Sequence, residues 1–252
     1  MKTIALSGKG GTGKTTLAAL IIRWLGENVS KSILAVDADS NVNLNDVLGI
    51  KIKETIGAIR EEMKSLGSEL PGGMSKQQFL EYKIHSSLVE TPNFDLLAMG
   101  RPEGPGCYCY ANNLLREILS ILQSNYKYIV IDNEAGMEHL SRRTTQNIDF
   151  LLIVSDSTGR GIRAAGKISQ LLEELKTRTK EKYLILNRAR APLTEPILRA
   201  IEEEKLKLSG IIPEDEELLL ADQNGKPIWA LDADSPASLA VQQLMTKLLK
   251  HN

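Results

Sequence analysis

Nine consecutive residues near the start of the chain, Gly8-Lys9-Gly10-Gly11-Thr12-Gly13-Lys14-Thr15-Thr16, are of the types and spacing that hold a polyanion. The glycines let successive backbone N–H groups turn toward one anion with no Cβ in the way. An apolar run, Ile4-Ala5-Leu6, precedes them, and Leu17-Ala18-Ala19-Leu20-Ile21-Ile22 follows as a helix. Strand, glycine loop, Gly-Lys-Thr and helix in that order are the context a P-loop requires. The helix start adds its dipole and its free N–H groups. Lys14 then reaches the β- and γ-phosphates of a nucleotide, and Thr15 offers its hydroxyl to Mg²⁺. Gly8, Gly10, Gly11, Thr12, Gly13 and Thr16 complete the cradle.

Three further strand ends carry polar residues suited to the same chemistry. Asp37 and Asp39 close an apolar run in Ala35-Val36-Asp37-Ala38-Asp39-Ser40, where either could instead cap the short helix that follows. Asp132 ends Tyr128-Ile129-Val130-Ile131, the form of a Walker B strand, and its carboxylate would hold Mg²⁺ through water. Ala135-Gly136 comes next, and a glycine there lets a backbone N–H approach a γ-phosphate. Such a loop changes position between the triphosphate and diphosphate states. Asn187-Arg188 ends a later apolar run, and the Asn187 amide can both donate to and accept from an adenine edge.

The elements that position these residues follow from the apolar runs. They are Thr3 to Leu6, Ile33 to Val36, Phe94 to Met99, Tyr128 to Ile131, Phe150 to Val154, Tyr183 to Leu186 and Ser209 to Ile212. Most are continuous rather than alternating, as in parallel strands covered on both faces. Helical stripes lie between them, one on Ala111, Leu114, Leu115, Ile118, Leu119 and Leu122, another on Ile162, Ala165, Ile168, Leu172 and Leu175. The expectation is one doubly wound α/β domain over residues 1–252, with a mostly parallel sheet of about seven strands and helices on both faces. Residues 51–92 break the rhythm and read as a helical insertion without a clear strand, either a partner-docking element or a long surface crossover. The acidic runs Glu202 to Glu204 and Glu214 to Glu217 read as solvated helix faces. A last helix runs from about Pro236 to Leu249 behind a Ser235 cap, and its apolar stripe suits core packing or contact with a membrane surface.

Composition narrows the setting. The 252 residues carry a formal charge of −1, so no large basic field is available to nucleic acid. No apolar run approaches a membrane span, and the N-terminus does not read as a secretory signal. With two cysteines a disulfide framework is excluded as the organising principle, and a cytoplasmic location is the default. The two are Cys107 and Cys109, in Gly104-Pro105-Gly106-Cys107-Tyr108-Cys109 just before a helix starting near Tyr110. A helix N-terminus favours thiolates. Spacing alone leaves a metal site and ordinary loop thiols both standing. A pair supplies two thiolates and a closed site wants four ligands, which two chains meeting at a two-fold axis would provide.

Lys9 directly before Gly10-Gly11 is not needed by an ordinary P-loop. Lys-Gly-Gly-Thr-Gly-Lys-Thr resembles the deviant P-loop of dimeric ATPases that include septum-site, plasmid-partition, nitrogenase iron and metal-insertion proteins. The resemblance implies that Lys9 crosses the dimer interface to the partner's phosphates, and that Asp39 positions the attacking water with Asp37 near the Mg²⁺ shell. It also implies that Asn187 and Arg188, with Pro213 in Ile212-Pro213-Glu214-Asp215, enclose the base. Together with Gly-Pro-Gly-Cys-Tyr-Cys and Asp-Asn-Glu-Ala-Gly-Met-Glu-His-Leu, the chain resembles the CooC-type ATPases over almost its whole length. These insert nickel into carbon monoxide dehydrogenase, and close relatives serve acetyl-CoA synthase. The resemblance implies an ATP- and Mg²⁺-dependent homodimer that binds Ni²⁺ (Zn²⁺ competes) through paired Cys107 and Cys109 and delivers it to a nickel enzyme. His139 then couples or supports the switch rather than binding metal. The chain departs from the more common Asp-Thr-Pro-Ala-Gly at Asn133 and Glu134. Rival readings are a positioning or partition switch, an iron–sulfur carrier, and a small-molecule ligase on the same fold.

Overall fold

The computed structural model describes residues 1–66, 71–101, 108–135, 147–175 and 178–250. Along the first half run β1 (Lys2–Gly8), α1 (Lys14–Asn28), β2 (Ile33–Ala38), α2 (Leu44–Leu48), α3 (Ile56–Leu66), α4 (Lys76–Ser87), β3 (Val89–Glu90) and β4 (Asp95–Ala98). The second half gives α5 (Tyr108–Leu122), β5 (Tyr128–Asn133), β6 (Asn147–Ser155), α6 (Gly159–Glu174) and β7 (Arg178–Asn187). It ends with α7 (Glu195–Glu203), β8 (Leu208–Ile212), α8 (Glu216–Gln223) and α9 (Pro236–Lys250).

The strands form one eight-stranded sheet in the order β3-β4-β2-β5-β1-β6-β7-β8, and every pairing except β3 with β4 is parallel. The doubly wound sheet expected from the apolar runs is present with one strand more. That strand, β3, lies inside 51–92 and corrects the all-helical reading of this segment. Two residues pairing antiparallel at the sheet edge are too short to show as a periodic run. The same segment carries two helices, α3 and α4, as its helical patches predict. Strands β6 and β7 begin earlier than their apolar runs, because polar residues such as Asn147 and Arg178 pair at the outer ends of the ladder.

Alternation sorts each strand between two cores. Ile4, Leu6, Ile33, Ala35, Val130, Phe150, Leu152 and Ile185 face α1 and α9. Ala5, Leu34, Val36, Ile129, Ile131, Leu151, Ile153 and Leu186 face α5 and α6. Both faces are buried, which is why the strands read as continuous apolar runs. The stripe of α9 is spent on this core: Ala237, Val241, Leu244, Met245 and Leu248 are buried against α1 and β8. Each of the larger side chains contributes about 1.5–3 kcal/mol by leaving water. Ser235 caps the helix, its Oγ accepting from Ser238 N at 3.3 Å. Among the described residues, no helix is long and apolar enough to cross a membrane.

The same alternation places the chemistry. Asp132 shares the parity of Val130, Asp37 that of Ile33 and Ala35, and Asn187 that of Ile185. All three therefore point to the α1 side at the carboxyl ends of their strands. Asp37 and Asp132 lie opposite each other in register, and Asp132 also pairs with Leu6 two residues before the glycine loop.

Candidate functional site

The loop from Gly8 to Gly13 joins β1 to α1 where the chain switches from one half of the sheet to the other, the expected place for a ligand in an open parallel sheet. Gly13 is the N-cap of α1 with φ 83°, and a Cβ there would lie 2.3 Å from Asn187 Nδ2. Among the described residues no side chain caps this helix, whereas Thr158 and Asp215 cap α6 and α8. The first N–H groups of α1 are thus left for an anion. A Cβ at Gly8 would meet the Val154 carbonyl at 2.2 Å, and one at Gly10 would lie 3.7 Å from Ala135 Cβ. The cradle is closed to side chains beneath and touches the loop leaving β5.

The two loop lysines differ sharply. Lys9 is exposed, while Lys14 is 8% exposed with its Nζ 3.4 Å from the Lys9 carbonyl. Burial pulls the Lys14 ammonium below its ordinary range, and the carboxylates of Asp132 and Asp39 oppose that shift. Thr15 hydrogen-bonds the Asp132 carboxylate. Asp132 is 2% exposed, and its Oδ1 is buried with no hydrogen-bond partner among the described residues. A bare carboxylate oxygen beside a threonine hydroxyl at a phosphate cradle fits Mg²⁺. This ion is held by few protein oxygens, the rest coming from water and phosphates. Bound there, it would neutralise charge on the phosphates.

Burial, with Asp37 and Asp39 adding like charge, pushes the Asp132 carboxyl up to about 7, against the pull of Thr15 and Lys14. The folded chain therefore holds this proton more tightly than the unfolded chain. Nucleotide-free protein loses that contribution to stability as pH rises from about 4 to about 7, by roughly 4 kcal/mol at 1.36 kcal/mol per pH unit. Asp132→Asn removes the titration. Nucleotide-free Asp132→Asn should melt on the order of 10 °C above the parent at pH 8 and level with it near pH 4. Thermal scans at both pH values check this, and a gap that ignores pH would contradict it.

Asp37 is fully buried and is the cap that the sequence allowed it to be. It accepts from Asp39 N at 3.0 Å, Asn43 N at 2.9 Å and Leu44 N at 2.8 Å, fixing the turn into α2. Burial still leaves its carboxyl above the usual range. Asp39 is half-buried, accepts from Asn41 N at 2.8 Å and acts on Lys14 through its field. Asn133 and Glu134 have structural partners. Asn133 Nδ2 donates to the Leu6 carbonyl at 2.8 Å, and Glu134 accepts from Ser40 Oγ at 3.3 Å. The sequence signal for both was the departure from the commoner Asp-Thr-Pro, which did not by itself reveal a role.

Asn187, Arg188 and Pro213 come together. With Thr16, Leu17 and Leu20 of α1 and Leu218, Leu219 and Asp222 of α8, they line a cleft of about 490 Å³. Leucines on two sides and an amide at the base suit a flat heteroaromatic ring. Asn187 Nδ2 already donates to the Thr12 carbonyl at 2.8 Å. The acidic run before α8 is not merely solvated. Asp215 accepts from Leu218 N at 3.1 Å and Ala237 N at 2.9 Å, and Glu217 accepts from Asp232 N at 2.8 Å. Cys107, Gly136 and His139 lie outside the described residues, as does the side chain of Cys109, whose backbone belongs to the first turn of α5.

Residues 3–228 match the model of the CobQ/CobB/MinD/ParA nucleotide-binding domain. The chain belongs to this family. An uncharacterized ATP-binding protein of Methanocaldococcus jannaschii is 43% identical over 98% of both chains. The carbon monoxide dehydrogenase accessory protein CooC of Rhodospirillum rubrum is 29% identical over 93% of this chain and 90% of its own. Among solved structures, the MinD cell division protein of Aquifex aeolicus superposes with a TM-score of 0.70 at 25% identity, covering 100% of this chain and 98% of that one. Membership makes the chain an ATPase of the MinD/ParA family, for which a nucleotide with Mg²⁺ is expected.

Proposed function

We propose that this MinD/ParA-family ATPase is a metallochaperone that delivers Ni²⁺ to a nickel enzyme such as carbon monoxide dehydrogenase or acetyl-CoA synthase. The observation that carries the reading is where the Cys-x-Cys segment enters the fold. Met99 N donates to the Asp37 carbonyl at 2.8 Å, so the chain leaving β4 toward the cysteines is fastened to the strand that bears the switch aspartates. Cys109 belongs to the first turn of the next helix. Movement of Asp37 and Asp39 on ATP binding or hydrolysis would reach the segment that carries the metal. The likeness to CooC across nine-tenths of the chain supports this reading.

In it, Lys14, Thr15 and Asp132 hold the phosphates and Mg²⁺, Asp39 orients the attacking water, and Asp37 keeps the switch turn near the Mg²⁺ shell. Gly136 follows the γ-phosphate, and Asn187, Arg188 and Pro213 hold the adenine. Lys9 stabilises charge on the phosphoryl group of the partner subunit. Cys107 and Cys109 of two subunits supply four thiolates for the cargo, and Zn²⁺ competes because thiolates bind both metals.

The test is an anaerobic Ni²⁺ titration of metal-free protein with mass followed by light scattering. Saturation at about one Ni²⁺ per two chains, with monomers becoming dimers, is the expected result. Absence of tight binding, with ATP-dependent pelleting on liposomes or DNA instead, would replace this reading with a positioning or partition switch.

A further inference from the structure

Asn187 is more than a wall of the base cleft. Its amide reaches under the phosphate loop and donates Nδ2 to the Thr12 carbonyl at 2.8 Å, buried from solvent. Thr12 is itself 6% exposed and passes the contact on, its Oγ1 donating to the Lys9 carbonyl at 2.9 Å. Lys14 Nζ approaches that same oxygen at 3.4 Å. A continuous set of contacts therefore joins the end of β7 to both lysines of the loop.

The fit around this amide is close. A Cβ on Gly13 would overlap Nδ2 at 2.3 Å, so the loop rests directly on the side chain. The residue after it, Arg188, has φ 51°, a conformation uncommon for a residue with a Cβ. The backbone thus turns away at once, leaving the amide beneath the loop. An amide has two N–H donors and a carbonyl acceptor. Thr12 takes one donor, and among the described residues the other donor and the carbonyl have no partner, which leaves them to serve a base edge.

We propose that Asn187 is a positioning residue for the phosphate loop, setting the place of Thr12 and through it Lys9 and Lys14, independently of any base. Base recognition and phosphate recognition then share one side chain. The inference needs only the nucleotide site and stands apart from the metal reading.

Inorganic tripolyphosphate with Mg²⁺ isolates the effect because it has phosphates and no base. Calorimetric titration should show Asn187→Ala binding it about tenfold more weakly than the parent, the scale of one buried hydrogen bond. With ATP, kcat should fall along with the rise in KM. Unchanged tripolyphosphate affinity and a change confined to the KM for ATP would overturn the proposal and leave Asn187 a base contact alone. Asn187→Ser, which keeps a polar side chain too short to reach Thr12, is the second variant should the alanine form fail to fold. If tripolyphosphate binds the parent too weakly to titrate, the kcat against KM split for ATP decides between the same two outcomes.

Discussion

An equimolar mixture of Lys9→Ala and Asp39→Ala chains should hydrolyse ATP at about one quarter of the wild-type rate, although each variant alone is nearly inactive. Lys9→Ala removes a cation from the transferred phosphoryl group and should cost about 10³ in turnover. Asp39→Ala removes the residue that orients water and should cost about 10². In a symmetric dimer with lysines acting across the interface, a mixed pair has one complete site. It joins Asp39 from the first variant to Lys9 from the second. Random pairing makes about half the dimers mixed, each with one working site of two. The exposure of Lys9, beside a Lys14 that is nearly buried, is what motivates the test. Steady-state phosphate release from mixed and unmixed samples measures it. No recovery on mixing would mean that Lys9 serves its own subunit or none.

Replacing both thiols, Cys107→Ser and Cys109→Ser, should lower Ni²⁺ bound from about one per two chains to none and abolish metal-linked dimerisation. Serine matches the shape but does not offer an anionic sulfur at neutral pH. ATP affinity should stay within about twofold, because Lys14, Thr15 and Asp132 at the cradle and the residues lining the base cleft are unchanged. Metal analysis after dialysis, paired with a nucleotide titration on the same sample, gives both numbers. Undiminished nickel in the double variant would remove the cysteines from the site.

Most of the candidate site's layout is legible in the sequence because its parts sit at the ends of uninterrupted apolar runs. Runs ending in Asp37, Asp132 and Asn187 needed only the parity of their strands to place all three on the α1 side. The glycine loop was equally plain, since spacing and the following helix specify it without tertiary information. Other features needed contacts distant in sequence. Asp37 looked like either a cap or a metal neighbour until its carboxylate was seen to hold three backbone N–H groups. Asn133 and Glu134 were visible as departures, but Leu6 and Ser40 as their partners were not. The edge strand Val89–Glu90 was too short for periodicity to register. The acidic run at Glu214 to Glu217 resembled an ordinary solvated face. The N–H of Ala237 that Asp215 accepts lies 22 residues further along the chain.

That last carboxylate ties the end of the molecule to its middle. One oxygen of Asp215 completes the start of α8, which walls the base cleft, and the other completes the start of α9. Neither helix can separate from its neighbours without breaking a clasp that the other shares. The C-terminal helix is therefore no detachable tail. It and the rim of the cleft form a single cooperative unit, whose amides would exchange with solvent together. Nucleotide seated in the cleft would thus be sensed at the far end of the chain as slower opening of its final helix.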